Sequence, residues 1–246
     1  MSRLIVLLLL CGLSTGVFAK DIAQFKQQEL IAKLLSQQVK QQISIKNSVS
    51  SILTRYPEQV DLVLKVALNL YPEQYKAIMI GAIQAEPVLA CDVISTVLAE
   101  KVADPAEVIA IAIETEPAYA QEIVNIAIQN DPANIENIVR VAIQTEPVVS
   151  QAVLDNTFTH YPDSFLGILT GAIKAVPDKI AKFVMDTINL FPDNGEEVVT
   201  QAVHSSEAKH DQLIVDSAIK AGLNQNSAID AAIAGGAKLE KLTKNH

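Results

Sequence analysis

Proline recurs at a fixed interval along most of this chain of 246 residues. Nine of the ten prolines lie on a fifteen-residue grid, and the tenth, Pro105, comes three residues late. The prolines are Pro57, Pro72, Pro87, Pro105, Pro117, Pro132, Pro147, Pro162, Pro177 and Pro192. Proline is tolerated at the first position of a helix, and it forces the residue before it out of the helical conformation. The spacing therefore predicts one short helix per fifteen residues, each opened by a proline.

Within each unit, the apolar residues recur with helical spacing. Counted from the grid position, the sixth and seventh following residues are always apolar, and a small residue and a large aliphatic one usually follow at the tenth and eleventh. After Pro57 these are Val63, Leu64, Ala67 and Leu68. Together with an often apolar third position, the spacing marks one face of an α-helix. We expect this face to form the core and the small tenth residue to let helix backbones approach.

Alternate units end alike, which makes the true repeat thirty residues long. Gln84-Ala85-Glu86, Glu114-Thr115-Glu116 and Gln144-Thr145-Glu146 share this ending. About two residues remain between helices of 12 or 13 residues, and such short links force consecutive helices to run antiparallel. The sequence predicts an all-α fold, a right-handed α-solenoid of about six 30-residue antiparallel helical hairpins with 15 residues per helix unit. Interior prolines, at roughly 3 kcal/mol each, exclude a long coiled coil.

The ends of the chain depart from the repeat. Residues 1–19 hold one arginine, a short apolar run and Val17-Phe18-Ala19. This is the layout of a secretory signal peptide cleaved after Ala19, with an uncleaved anchor as the alternative. No later segment reaches the roughly 18 uninterrupted apolar residues of a membrane span. We therefore expect a periplasmic or secreted protein without a transmembrane span. The further predicted divisions are an N-terminal helical cap at 20–55, proline-punctuated repeats at 56–204, degenerate C-terminal repeats or a cap at 205–236, and a polar tail at 237–246.

Charge is distributed unevenly along the chain. The net charge is -9, which argues against a nucleic-acid partner, because binding phosphates requires a basic surface. Residues 20–55 hold six basic and two acidic residues, whereas residues 56–246 hold twelve basic and twenty-six acidic ones. The basic start could touch a membrane surface or pack on the acidic repeats. We favour packing within the chain.

Catalytic and metal-binding motifs are missing from the sequence. It has no glycine-rich phosphate loop, serine nucleophile elbow or His-Glu-x-x-His motif. His204 and His210 stand six residues apart near Glu207 and Asp211, a poor spacing for one ion on one helix, so we expect a solvated polar turn. His160 is expected to be a polar helix junction. The sequence thus predicts no catalytic residue, no cofactor and no metal.

Removal of the signal peptide would leave Cys91 as the one thiol, because the other cysteine is Cys11. A single cysteine makes no intramolecular disulfide, so stability must come from packing. We expect Cys91 to be a small buried residue, with a dimerising or reactive thiol as the alternative.

Two edges of the predicted stack carry candidate binding residues. Glu86, Glu116 and Glu146 recur every thirty residues and could form a ladder that holds a basic partner or a cation. The alternative, which we favour, is that each carboxylate is stabilised by a neighbouring helix N-terminus. The corresponding positions on the other edge hold Tyr71, Asp131, Tyr161 and Phe191, whose aromatic rings form either a binding stripe or loop packing. We favour packing.

The thirty-residue hairpins resemble the α-solenoid class of repeat proteins, which includes the tetratricopeptide and HEAT families. The resemblance covers about residues 42–234 and concerns architecture, because no family-specific signature is present. It implies extended surfaces that bind proteins or peptides. We expect an exported non-catalytic helical-repeat scaffold or protein-binding module of a bacterial-type envelope or the extracellular space. The alternatives are a self-assembling structural protein and a helical-toroid enzyme, although the chain lacks tryptophan.

Overall fold

A computed structural model describes residues 14–242, with the side chains of residues 14–24 and of Lys241 left out. Within this range the chain forms fourteen α-helices and no strand. Residues 1–13 of the predicted signal peptide and residues 243–246 of the predicted tail lie outside the described residues. The helices are α1 Ser14–Lys40, α2 Ile45–Leu53, α3 Val60–Leu70, α4 Tyr75–Ala85, α5 Ala90–Glu100, α6 Pro105–Thr115, α7 Ala120–Asn130, α8 Ile135–Thr145, α9 Ser150–His160, α10 Phe165–Ala175, α11 Ile180–Leu190, α12 Gly195–His204, α13 Asp211–Lys220 and α14 Gln225–Ala234.

Each proline of the fifteen-residue grid opens a 3₁₀ turn that leads directly into an α-helix. Between α3 and α4, a single residue joins the two helical segments. The N–H of Tyr71 donates to the carbonyl of Ala67, and the carbonyl of Tyr71 accepts from Gln74, both at 2.9 Å. The backbone of Tyr71 therefore forms hydrogen bonds both with the end of α3 and with the 3₁₀ turn that begins the next helical segment. The prediction that proline begins each helix is confirmed, with a connection of one residue instead of two.

Three helices that are not followed directly by a grid proline end in a different way. Gln42, Gly222 and Gly236 adopt the left-handed conformation, with φ of 69°, 104° and 112°. After each of them, the next N–H donates to a carbonyl five residues back, which is the Schellman motif. These bonds are Ile43 to Gln38, Leu223 to Ala218 and Ala237 to Ala232. The side chains of Ser44 and Asn224 then cap α2 and α14.

The displaced proline, Pro105, begins α6 without a 3₁₀ turn. Lys101, with φ of 54°, ends α5, and the Asp104 carboxylate accepts from the N–H of Ala106 at 2.8 Å. The extra residues therefore provide a C-terminal cap for α5 and a separate N-terminal cap for α6. The chain also divides here into two compact units, one ending at Ala103 and one beginning at Asp104.

In the first unit, the helices pack in two layers. One layer contains α2 and α4, the other contains α1, α3 and α5, and consecutive helices contact each other between the layers. The closest approach lies between α2 and α4, where a Cβ on Gly81 would overlap the main-chain carbonyl oxygen of Lys46. Leu53, Leu64 and Met79 are fully buried in this unit.

The second unit repeats this arrangement. Helices α6, α8, α10, α12 and α14 pack in sequence in one layer, while α7 packs against α9 and α11 against α13 in the other. Because a single residue joins most consecutive helices, these neighbours form antiparallel hairpins. The predicted all-α helical-repeat fold of the α-solenoid type is confirmed within each unit, and its right-handed sense stays a prediction.

The buried positions are those that the repeat predicts. Ile138, Val139 and Ala142 of α8 are all buried, and the residue at the tenth position is buried in every proline-opened unit. Thr157 and Thr187 replace alanine at that position and donate to carbonyls of their own helices at 2.8 and 2.7 Å. At the C-terminal end, Ala237 and Leu242 are also buried, so this part of the predicted polar tail packs against the protein.

Candidate functional site

The three predicted ladder residues all lie at helix junctions. Glu86 ends α4 in the first unit and is exposed, whereas Glu116 and Glu146 follow α6 and α8 in the second unit and are half-buried. The structure places Glu116 and Glu146 on one edge, because α6 and α8 belong to the same layer. The Glu146 carboxylate accepts from the N–H of Val148 at 3.3 Å. This contact matches the local stabilisation of a helix start, and the binding ladder stays a prediction.

The aromatic residues of the other edge pack within the second unit. Phe191 stacks on Phe165 with ring centroids 4.8 Å apart, and its ring meets that of Phe158 edge-on at 5.7 Å. The Tyr161 hydroxyl donates to the main-chain carbonyl of Asn125 at 3.4 Å. These contacts support loop packing for Phe191 and Tyr161.

An apolar groove lies in the first unit between α1, the end of α2 and the start of α3. Its volume is about 640 Å³, and its apolar lining includes Leu30, Ile31, Leu34, Ile52 and Val63. The rim carries amides from glutamine residues, together with the charges of Lys33 and Glu58. We call this surface the apolar groove.

Large side chains along the apolar groove remain open to solvent. Leu30 is 67% exposed, Tyr56 is 56% exposed and Leu34 is 39% exposed. Single exposed apolar residues are ordinary, whereas a group of them along one groove marks an interaction surface. Leu30 and Leu34 lie in the predicted N-terminal cap and Tyr56 lies at the start of the predicted repeats, and no sequence motif marks the groove.

A second groove lies in the second unit, where α8, α10 and α12 meet the turn before α13. Its volume is about 540 Å³. The Lys174 ammonium pairs with the Glu136 carboxylate at 2.6 Å. The Gln201 amide donates to the hydroxyls of Thr170 and Ser205 at 2.9 and 3.1 Å. We call this surface the polar groove.

His204, His210 and Glu207 line the polar groove as well. His204 and Glu207 are exposed, as expected for a solvated turn. His210 differs, because its ring is half-buried and its Nδ1 atom is buried without a hydrogen-bond partner. Among the described residues, His, Cys, Asp and Glu side chains form no group of three or more that could hold a metal ion. The structure therefore brings the two histidines to one groove without an evident metal site.

Two other predictions concern single features. Cys91 is half-buried instead of buried, because it lies off the face of α5 that buries Ala90, Val93 and Ile94. In the described part of the chain, no helix combines the length and apolar character that crossing a bilayer requires.

In comparisons with known proteins, the chain matches no family model, no curated protein and no solved structure.

Proposed function

We propose that the protein is an exported, non-catalytic helical-repeat scaffold that binds a protein or peptide partner in a bacterial-type envelope or the extracellular space. The observation that carries this proposal is the apolar groove, with its volume of about 640 Å³ and its exposed leucines. The repeat architecture supports a binding role, because stacked hairpins present extended surfaces.

The chemistry of the apolar groove favours an amphipathic helix as the bound segment. Leu30 and Leu34 stand one helical turn apart on α1 and present an apolar ridge that a partner's apolar face can cover. Each Å² of apolar surface removed from water contributes about 25 cal/mol. Since the rim carries Lys33 and Glu58, one charge of each sign, the partner's flanks need no strong net charge.

A photocrosslinking amino acid at position 30 tests this proposal. The control places the same crosslinker at Val148, which is 87% exposed but lies in the second unit. We expect one defined adduct in native envelope extract at position 30, none at position 148, and its loss when Leu34→Asp is added. Identical adducts at both positions, or no adduct at position 30, would refute binding in the apolar groove.

Export is the second part of the proposal and rests on the predicted signal peptide. The mature protein is expected to begin at Lys20, directly after the predicted cleavage site. N-terminal sequencing of the protein from its native compartment tests this. A mature chain that retains Met1 would contradict cleavage.

Self-assembly is a second candidate function, favoured by apolar residues near the C-terminal end of the second unit. Leu213, Ile233 and Leu239 are exposed there. A second copy of the chain could cover them. Sedimentation velocity at several protein concentrations separates the candidates, since a monomer at all concentrations supports a binding module and growth with concentration supports assembly.

A further inference from the structure

We propose that the polar groove of the second unit binds a neutral, hydroxyl-rich ligand with the chemistry of an oligosaccharide. This site is independent of the apolar groove and of the partner proposed for it. It is defined by His210, Gln201, Thr170 and the Lys174–Glu136 pair, on a floor that includes Ile173 and Pro177.

His210 is the last residue of the 3₁₀ turn Ala208–His210 that leads into α13. This unit is one residue longer than the fifteen-residue grid, so the buried first helix position, held by Val60 and Ile180 in earlier units, is held here by Asp211. The half-buried ring of His210 lies directly before that position and lines the polar groove.

Gln201 departs from the repeat at a core position. The corresponding residues of α4, α6, α8 and α10 are buried and carry no polar side chain. They are Gly81, Ile111, Val141 and Gly171. The Gln201 amide instead holds the hydroxyls of Thr170 and Ser205 together at the groove surface. A core-type position has therefore become polar in this hairpin, and Gln201 lines the same groove as His210.

The hydrogen bonding of His210 is incomplete. Its Nδ1 atom is buried and has no partner, and leaving a buried polar atom without a hydrogen bond is unfavourable. A neutral imidazole either donates or accepts at Nδ1, depending on the tautomer. A hydroxyl group both donates and accepts, so a ligand hydroxyl satisfies this atom in either tautomer.

The charges at the polar groove favour a neutral ligand. The Lys174 ammonium is already paired with Glu136 at 2.6 Å, and Lys209 is paired with Glu207 at 3.1 Å. A carboxylate or ammonium on a ligand would therefore meet charges that are already compensated by a neighbouring charge of the opposite sign. Ligand hydroxyls can accept from Lys174 and donate to Glu136 while the ion pair stays intact. Pro177, which is exposed, provides an apolar contact for the C–H face of a sugar ring.

The volume of the groove suits such a ligand. At about 540 Å³ it falls within the range of about 300–1,000 Å³ that small-molecule pockets occupy. Hydroxyl, amide and imidazole groups are distributed along it, so several ligand hydroxyls can be bound at once.

The test uses the full chain and three uncharged probes: maltotriose, cellotriose and triacetylchitotriose. Glycylglycine and inorganic phosphate serve as charged probes. Binding is measured by calorimetric titration and by NMR shifts of the His210 ring and the Thr170 methyl group. The variants are His210→Ala, which removes the imidazole, and Gln201→Val, which inserts the residue that α8 holds at the corresponding position, Val141. The control is Thr187→Ala, which restores a repeat residue outside the groove.

We expect at least one neutral oligosaccharide to bind and to shift both reporter groups. His210→Ala and Gln201→Val should each weaken its binding about tenfold or more, while Thr187→Ala leaves it unchanged. The proposal is overturned if no neutral probe shifts these groups, if only the charged probes do, or if both groove variants bind the oligosaccharide as tightly as the original chain.

Discussion

Gly171 of α10 lies directly against the main-chain carbonyl oxygen of Glu136 in α8, so that a Cβ on Gly171 would overlap this oxygen. The backbones of the two helices are therefore in contact. The same relationship holds in the first unit between Gly81 and Lys46. Glycine lowers helix propensity, so its presence in the middle of these helices is explained by this close approach.

The first prediction concerns Gly171→Ala, which should destabilise the second unit. Alanine improves helix propensity by about 1 kcal/mol, but overpacking against an immobile backbone costs about 1–3 kcal/mol. We expect a net loss in denaturant unfolding. The control is Gly167→Ala in the same helix, where the nearest atom is the movable Cγ2 of Ile135 at 3.3 Å. If both variants are stabilised equally, α8 and α10 are not in backbone contact.

The second prediction concerns the core of α8. Ile138 is 3% exposed, and Ile138→Ala should lower the free energy of unfolding by about 2–5 kcal/mol. Val148→Ala is the matched control, because Val148 is 87% exposed and its truncation should change stability by less than about 0.5 kcal/mol. Urea unfolding followed by circular dichroism measures both. An Ile138→Ala variant as stable as the control would show that this helix face is not core.

The third prediction concerns the thirty-residue repeat. Deleting residues 117–146 joins Glu116 to Pro147, which recreates a Glu-Pro junction and removes one helix from each layer. Deleting residues 117–131 instead joins α6 directly to the 3₁₀ turn before α8, so that each later helix moves into the other layer. We expect the first variant to unfold cooperatively and the second to be much less stable. Equal melting temperatures would argue against two distinct helix layers.

Much of this fold is predictable from local chemistry. Each proline decides where a helix begins, and the apolar spacing decides which face is buried, so helix positions and core residues such as Ile138 follow from the sequence. The one-residue connection is less predictable, because it depends on the 3₁₀ turn that lets Tyr71 serve two helices. The left-handed end of α1 at Gln42 has no clear sequence signal, since glutamine stands where glycine is usual.

The two grooves differ in how far the sequence alone indicates them. The apolar groove depends on where α1 lies against α2 and α3, which no spacing in the proline-free cap specifies. The polar groove left a signal in the sequence, because Gln201 stands at a position that holds glycine or an aliphatic residue in α4, α6, α8 and α10. The spacing of His204 and His210 does not indicate this groove, because it is judged against a metal site on one helix and not against the repeat.

The last prediction concerns Asp61, which joins two interactions in the first unit. It accepts from the Lys65 ammonium one helical turn along α3 at 2.9 Å and from the Thr96 hydroxyl of α5 at 3.2 Å. The hydrogen bond with Asp61 raises the pKa of Lys65 above its ordinary value of 10.5, with further help from the charges of Asp61 and Glu100. Asp61→Asn should lower the pKa of Lys65, measured by NMR titration of its side chain.

The sign of the pH effect on stability follows from this raised pKa. Since the folded state binds the Lys65 proton more tightly than the unfolded chain, the stabilisation is fully present below the unfolded pKa and is lost as pH rises through the folded pKa. We expect Asp61→Asn to cost about 0.3–0.5 kcal/mol at neutral pH, as for exposed helix pairs, and the cost to shrink in the alkaline range. Thr96→Val is the control, because it removes the bond between α3 and α5 and leaves the pKa of Lys65 unchanged. A Lys65 pKa that stays raised in Asp61→Asn would show that Asp61 is not its cause.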